Sequence, residues 1–324
     1  ADQAASRLAR ELTVNNIERG RLIGRSGSLA GAEGLLWPEH LRDLNSRHTF
    51  FALWELYSRH RSLATLDACG RNTQKLRLSH DGALVGACGI DPPVIIHDTS
   101  TLETVATFGD PGIVHTALAF SPRGDLATGN AAGKIVIRAP GDWKERLVLV
   151  EQGQPVTDAA FDRYGDHLVA VFSDGSVAVF DVRPASTGER RLASRADLSA
   201  RVAVCSPAED LVVVGATDAR LRVLTLDGLD DVRDIANPDD NTPRLGISAD
   251  GTMVAAGGAS RLTRVWELSS GELLATLRAP NGSVQGVAFT PDGSRVVTVG
   301  WWNLHVWELG KQHPLQTFTG FRMS

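Results

Sequence analysis

The nine histidines, at positions 40, 48, 60, 80, 97, 115, 167, 305 and 313, are the side chains best suited to move protons or hold a metal near neutral pH. Their spacing serves neither task. No HExxH places two of them one helical turn apart, and Cys69, Cys88 and Cys205 form no CxxC pair. A serine nucleophile on a GxSxG elbow or in a Ser-x-x-Lys pair is also absent from the sequence. The acidic pairs Asp230-Asp231 and Asp239-Asp240 carry the charge for a cation site, but they stand in stretches read as loops, where a solvated carboxylate is the ordinary state. No catalytic residue, metal ligand or cofactor site is assigned, and the chain is expected to act by binding; the further alternative, an enzyme or small-ligand binder, would need a set of ligand residues that the sequence does not supply. The candidates for that task are Trp301, Trp302 and Asn303, with Asp239 and Asp240 nearby. Large aromatic side chains bury much apolar area with few rotamers to freeze, which is why they anchor interfaces.

The elements that must position these residues follow from an internal repeat. A short turn recurs as Ser79-His80-Asp81-Gly82, Ser121-Pro122-Arg123-Gly124, Asp162-Arg163-Tyr164-Gly165, Ser206-Pro207-Ala208-Glu209, Ser248-Ala249-Asp250-Gly251 and Thr290-Pro291-Asp292-Gly293. Their fourth residues stand 42, 41, 44, 42 and 42 positions apart. Before each turn lies a β-like run such as HTALAF or VQGVAF; after it come runs such as HLVAVF and RVVTVG. A third run follows (VIIHD, IVIRA, VAVFD, LRVLT, TRVWE, LHVWE), and a fourth closes each unit (VATF, LVLV, RLAS, VRDI, LATL, LQTF). Four strands at a period of about 40–45 residues describe a propeller blade.

The segments RVWELSSGELLATL (264–277) and HVWELGKQHPLQTF (305–318), joined to VAFTPDG (287–293), resemble the WD-repeat family. The resemblance covers roughly residues 62–319 and implies an all-β propeller of four-stranded antiparallel blades that docks proteins or peptides. The family's tryptophan column falls on His97, Arg138, Phe180, Leu224, Trp266 and Trp307, so two units keep the Trp; His97 is read there as a packed imidazole. Its hairpin Asp is present as Asp91, Asp174 and Asp218 and replaced by Ala132, Ser260 and Trp301 elsewhere. The Gly-His pair before the first strand is missing throughout, so the family's inter-blade side-chain network is expected to be largely absent. Six units are recognisable. SLATL at 62–66 matches LLATL at 273–277, so either six blades close with 62–66 as a cap, the preferred reading, or a seventh blade is incomplete. On this resemblance Trp301-Trp302-Asn303 fills the hairpin between the second and third strands of the last unit, on the face that meets partners, and the acidic 237–241 loop favours a basic or apolar partner.

Residues 1–60 read differently, as a helical segment ahead of a propeller domain at 61–324. Leu8, Leu12, Ile17, Leu22 and Ile23 recur at helical spacing. Gly20, Ile23, Gly27, Ala32 and Leu36 resemble one tetratricopeptide unit, whose small residues let two helices approach. Pro38 is expected to end or kink the second helix near Trp37, and a third helix is expected over 47–59. Helices followed by WD-like blades, with phrases such as NIERGRL (16–22) and ALWELYSR (52–59), resemble the non-catalytic C-terminal half of bacterial serine/threonine protein kinases. The resemblance implies a regulatory or targeting role and a kinase domain upstream of Ala1.

The net charge of −5 argues against a nucleic-acid partner. No apolar run approaches the roughly 20 residues that span a bilayer, and a cytoplasmic location with no membrane partner is expected.

Overall fold

The computed structural model describes residues 2–25, 29–43, 46–49, 51–53, 73–90, 94–109, 112–150, 153–184, 190–238, 244–279, 282–300, 303–311 and 313–319. The chain forms two compact units, Ala1–Leu66 and Asp67–Ser324.

In the first unit, α1 (Asp2–Arg25) packs against α2 (Leu29–Arg42). The predicted small-residue contact is present. A Cβ added to Gly20 would lie 2.7 Å from Leu36 Cγ, so only glycine lets the helices approach this closely. Ile17, Ala32, Leu36, Ala52 and Leu53 form a small buried cluster, while Leu12 and Leu22 are exposed. Of the two outcomes expected at Pro38, an end of the helix needs correction, because α2 continues through it to Arg42. The carbonyl that a proline ring disturbs belongs to the residue four positions earlier, here Gly34. That residue is exposed and has open space around it, so water can take the freed carbonyl. Residues 47–49 and 51–53 are helical, as expected for the third helix; 54–59 lie outside the described residues. Buried Glu39 accepts from Thr13 Oγ1 (3.0 Å), Asn16 Nδ2 (2.8 Å) and Arg42 Nη1 (2.6 Å), and these bonds hold its carboxyl below its ordinary range.

The second unit is a six-bladed β-propeller, with six four-stranded antiparallel sheets among the described residues. Blade 1 comprises β1 (Lys75–Leu78), β2 (Leu84–Cys88), β3 (Val94–Asp98) and β4 (Thr104–Phe108). Blade 2 comprises β5 (His115–Phe120), β6 (Leu126–Asn130), β7 (Lys134–Arg138) and β8 (Glu145–Val150). Blade 3 comprises β9 (Val156–Phe161), β10 (His167–Phe172), β11 (Val177–Asp181) and β12 (Arg191–Arg195). Blade 4 comprises β13 (Ala200–Cys205), β14 (Leu211–Ala216), β15 (Arg220–Thr225) and β16 (Asp231–Ala236). Blade 5 comprises β17 (Arg244–Ile247), β18 (Met253–Gly257), β19 (Leu262–Glu267) and β20 (Leu273–Arg278). Blade 6 comprises β21 (Val284–Phe289), β22 (Arg295–Gly300), β23 (Asn303–Glu308) and β24 (Gln316–Thr319). Each sheet pairs its strands in chain order, and the first strands of successive blades lie side by side, so they form the innermost layer.

The repeated turn is built the same way in most blades. Gly82, Gly124, Gly165, Gly251 and Gly293 have φ between 69° and 87°, the left-handed region where glycine avoids a Cβ clash, and each amide donates to the carbonyl of the turn's first residue. That first side chain binds the far end of the turn: Leu84 N donates to Ser79 Oγ (2.9 Å), Met253 N to Ser248 Oγ (2.9 Å) and Arg295 N to Thr290 Oγ1 (3.1 Å).

Apolar clusters fill the spaces between successive blades from 1 to 6, as between Ile137 and Phe161 or Val179 and Leu224. On the face of blade 1 away from blade 2, Val85, Ala87, Ile95 and His97 are buried, while Leu76 and Leu78 of β1 are exposed. Residues 62–66, the expected cap, lie outside the described residues.

Candidate functional site

The predicted tryptophan column is one structural position. His97, Arg138, Phe180, Leu224, Trp266 and Trp307 pair across the sheet with Val85, Leu126, Leu168, Val212, Val254 and Val296, and all six are buried. In the last blade Trp307 Nε1 donates to Thr298 Oγ1 at 2.9 Å. Thr128 is the matching residue of blade 2, where the Arg138 guanidinium reaches it at 3.5 Å, donates to Glu145 Oε1 at 2.8 Å and lies 4.3 Å from the centre of the Phe108 ring. A cation stacked on an aromatic ring thus takes the volume of an indole. His97 is packed as expected, with Nδ1 3.3 Å from Thr104 Oγ1.

Of the hairpin aspartates, Asp174 and Asp218 are used inside their own blades, and Asp91 lies outside the described residues. Asp174 Oδ1 accepts from Ser176 N (2.9 Å) and Ser176 Oγ (2.6 Å), which lowers its pKa, and Asp218 pairs with Arg222. Blades are tied instead by arginines that reach the next blade's backbone: Arg146 Nη1 donates to Val182 O (2.7 Å), Arg195 Nη1 to Leu229 O (3.1 Å) and Arg233 Nη1 to Ser270 O (2.9 Å). Gly175 adds a steric lock. At φ 85°, a Cβ there would stand 2.7 Å from Ser199 Cα, in the connection that leads into blade 4.

Of the predicted contact residues, Asn303 opens β23, pairs with Thr319 and is buried, so it belongs to the strand rather than to the hairpin tip. Trp301 and Trp302 stand in sequence between β22 and β23; they and Asp239 and Asp240 lie outside the described residues. Asp231 opens β16 and pairs with Arg195 (2.8 Å) instead of standing in a loop.

The sequence reading missed a polar ring on the innermost strands. β5, β9, β13 and β21 each carry a β-bulge at their second residue, and those residues are Thr116, Thr157, Arg201 and Gln285. A bulge re-aims one side chain and leaves it out of the ladder, and here it does so at one level, at the edge shared with the β2–β3-type hairpins. Thr116 and Thr157 donate to the carbonyls of Val156 and Val171. Gln285 Nε2 donates to Ser283 Oγ (2.8 Å), while Arg201 is exposed. One residue further along, counted back from the turn, come Lys75, Ala117, Asp158, Val202, Arg244 and Gly286. Asp158 is fully buried. Its Oδ1 lies 2.9 Å from Lys75 Nζ and 3.5 Å from Arg77 Nη2, and Ala203 N donates to its Oδ2 at 3.3 Å. Lys75 and Arg77 belong to blade 1 and Asp158 to blade 3, so the ion pair bypasses blade 2.

Among the described residues, no group of three or more His, Cys, Asp or Glu is placed to hold a metal ion, and no helix is long and apolar enough to cross a membrane.

Residues 271–308 match the family model described as WD domain, G-beta repeat. The chain is 29% identical over 147 residues to cilia- and flagella-associated protein 52 of Chlamydomonas reinhardtii, covering 45% of this chain and 23% of that protein. It is 32% identical over 127 residues to the ribosome biogenesis protein WDR12 homolog of Chlamydomonas reinhardtii, covering 33% and 28%. A 60-residue stretch is 42% identical to the uncharacterized WD repeat-containing protein sll1491 of Synechocystis sp., covering 18% and 17%. The chain thus spans less than a third of the length of each of these relatives. Among solved structures, the Cps50 (Swd1) β-propeller domain of Myceliophteria thermophila superposes with a TM-score of 0.65 at 16% identity, over 78% of this chain and 87% of that one, a likeness of fold.

Proposed function

We propose that this WD40-type β-propeller is a non-catalytic scaffold that docks proteins or peptides on the face carrying its β2–β3-type hairpins. The observation that supports it is the contrast between frame and tips. Turn geometry, column position and inner-strand bulge recur from blade to blade, while equivalent positions of the hairpins on this face differ in sequence: Ala132-Gly133, Asp174-Gly175, Asp218-Ala219, Ser260-Arg261 and Trp301-Trp302. A rigid frame with variable tips costs little conformational entropy on binding and places specificity in a few side chains. WD40 propellers in general bind proteins, and the net charge of −5 favours such a partner over nucleic acid. Trp301 and Trp302 are the proposed anchors, with Asp239 and Asp240 as further contact candidates; Asn303, buried in β23, supports the hairpin from the strand.

The test is affinity capture with wild type and a Trp301→Ala/Trp302→Ala variant, each checked by thermal melting. Loss of bound proteins with an unchanged melt supports the reading; unchanged capture refutes it for these residues. The helical unit ahead of the propeller also favours a second reading, a regulatory region of a bacterial serine/threonine kinase. Coding sequence upstream of Ala1 that lacks a kinase domain would remove it.

A further inference from the structure

The strands of each blade pair antiparallel in chain order, so the β1–β2-type turns and the β3–β4-type hairpins share the face opposite the β2–β3-type hairpins. One residue on that turn face departs from the repeat. The third position of the turn is aspartate in blades 1, 5 and 6, and each closes its own turn. Asp81 accepts from Ser79 Oγ (2.6 Å) and Ala83 N (3.0 Å), Asp250 from Ser248 Oγ (2.6 Å) and Thr252 N (3.0 Å), and Asp292 from Thr290 Oγ1 (2.5 Å) and Ser294 N (3.2 Å). In blade 3 the first residue does this instead: Asp162 Oδ1 accepts from Asp166 N (2.8 Å) and His167 N (3.0 Å). The third position is thereby released, and it holds Tyr164. Its side chain is 52% exposed, whereas every other described Phe, Tyr and Trp of the propeller is buried or half-buried.

The ring is also held in place. The Arg163 guanidinium lies 4.7 Å from its centre, stands 3.2 Å from Asp210 Oδ1 and donates to Ala208 O, so one cation links Tyr164 to the turn of blade 4. Arg123 Nη2, 2.7 Å from Asp166 Oδ1, ties the same turn to blade 2. An aromatic side chain fixed before binding loses little rotamer freedom on contact. Beyond Arg163 the surface turns acidic. Leu226 N donates to Asp210 O at 2.9 Å, which sets the β15–β16 hairpin beside the turn. Glu209, Asp210, Asp227 and Asp230 therefore lie together across blade 4, all exposed. Asp210 has Arg163; among the described residues the other three form no ion pair.

We propose that Tyr164 and the adjoining edge of blade 4 form a second docking surface, on the turn face, for a basic peptide segment. Tyr164 receives an apolar side chain or the alkyl stem of a lysine or arginine, and Glu209, Asp227 and Asp230 receive the cationic heads. Each exposed ion pair adds little, so the tyrosine anchors the segment while the charges steer and select it. The surface lies on the other side of the disk from Trp301 and Trp302 and acts without them.

The test is fluorescence anisotropy of the full chain with two labelled octapeptides, one alternating lysine with leucine and one alternating glutamate with leucine. The lysine peptide is expected to bind saturably and the glutamate peptide not to bind. Tyr164→Ala is expected to weaken binding about tenfold or more, as for an aromatic anchor, and Glu209→Gln/Asp227→Asn about fivefold, as two exposed ion pairs go. Glu103→Gln/Glu272→Gln removes the same charge from blades 1 and 5 of the same face and is expected to leave affinity unchanged, as is Trp301→Ala/Trp302→Ala. Each variant is checked by thermal melting, with Tyr164→Gln used should the alanine variant melt early. Failure of the lysine peptide to bind, or affinity unchanged in the folded Tyr164 variant, overturns the inference. An equal loss in the Glu103/Glu272 variant overturns it as diffuse attraction. Loss in the Trp301/Trp302 variant overturns it in favour of the hairpin face, so the docking reading there stands or falls separately.

Discussion

Thr298 accepts the indole hydrogen of Trp307 at 2.9 Å, and Thr128 stands in the same relation to Arg138 at 3.5 Å. One repeat position therefore supports two chemistries. In blade 6 the hydroxyl accepts from the N–H of a wholly buried indole. In blade 2 the guanidinium also has Glu145 and the Phe108 face. Thr298→Val should therefore destabilise the domain by about 1–3 kcal/mol, the cost of a buried donor left unpaired. Thr128→Val should cost less. Urea unfolding of the two variants checks the order; equal losses would show that the bonds are interchangeable.

Asp158 is the buried end of an ion pair whose cationic ends touch water. Asp158→Asn should cost about 3 kcal/mol, near the lower limit for breaking a buried pair, because Lys75 and Arg77 can turn to solvent. Replacing Lys75 and Asp158 together with Met and Leu should recover part of that loss. Chemical denaturation of both variants decides the matter, and a double variant worse than Asp158→Asn alone would refute this account.

Arg195 bridges Asp197, Asp231 and the Leu229 carbonyl with one guanidinium. Its carboxylate partners raise its pKa further, so it stays charged throughout the accessible range. Arg195→Ala should cost about 1–2 kcal/mol, discounted for the exposure of the carboxylates. Arg195→Lys should restore less than half, since an ammonium cannot fork to two acceptors and a carbonyl. Denaturant midpoints measured at low and high salt test both statements.

His305 is buried beside Trp307, with Nδ1 3.0 Å from Thr317 Oγ1, and burial holds its pKa below the ordinary 6.5. The unfolded chain then binds the proton more readily than the folded one. The stability it contributes is present above pH 6.5 and falls away as pH drops through the folded value. His305→Phe should flatten the loss of stability between neutral and mildly acidic pH relative to wild type. Melting curves across that window show it; an unchanged slope would place the pH dependence in other groups.

The frame was legible because its requirements are local. A turn that needs a positive φ shows as Gly82, Gly165 or Gly293, and a third strand with one large buried residue shows as the Trp column even when that residue is Arg138. Helix packing was legible at Gly20 for the same reason. An end of α2 at Pro38 was misjudged because the outcome depends on Gly34 four residues earlier, not on the proline alone. The inner ring was not legible. Thr116, Thr157, Arg201 and Gln285 read as ordinary alternation until the bulges place them on one level. Nothing in the sequence joins Lys75 to Asp158, whose meeting depends on the curvature of a whole blade between them.

That meeting has a consequence in time. Lys75 precedes Asp158 by 83 residues, so during synthesis the first blade emerges with its two inner cations unmatched. The charges are quenched only when the third blade has left the ribosome and turned in behind the second. Closing so long a loop carries an entropic cost that grows slowly with length. The ion pair thus needs both blades, and it fastens the first one only once the third is in place.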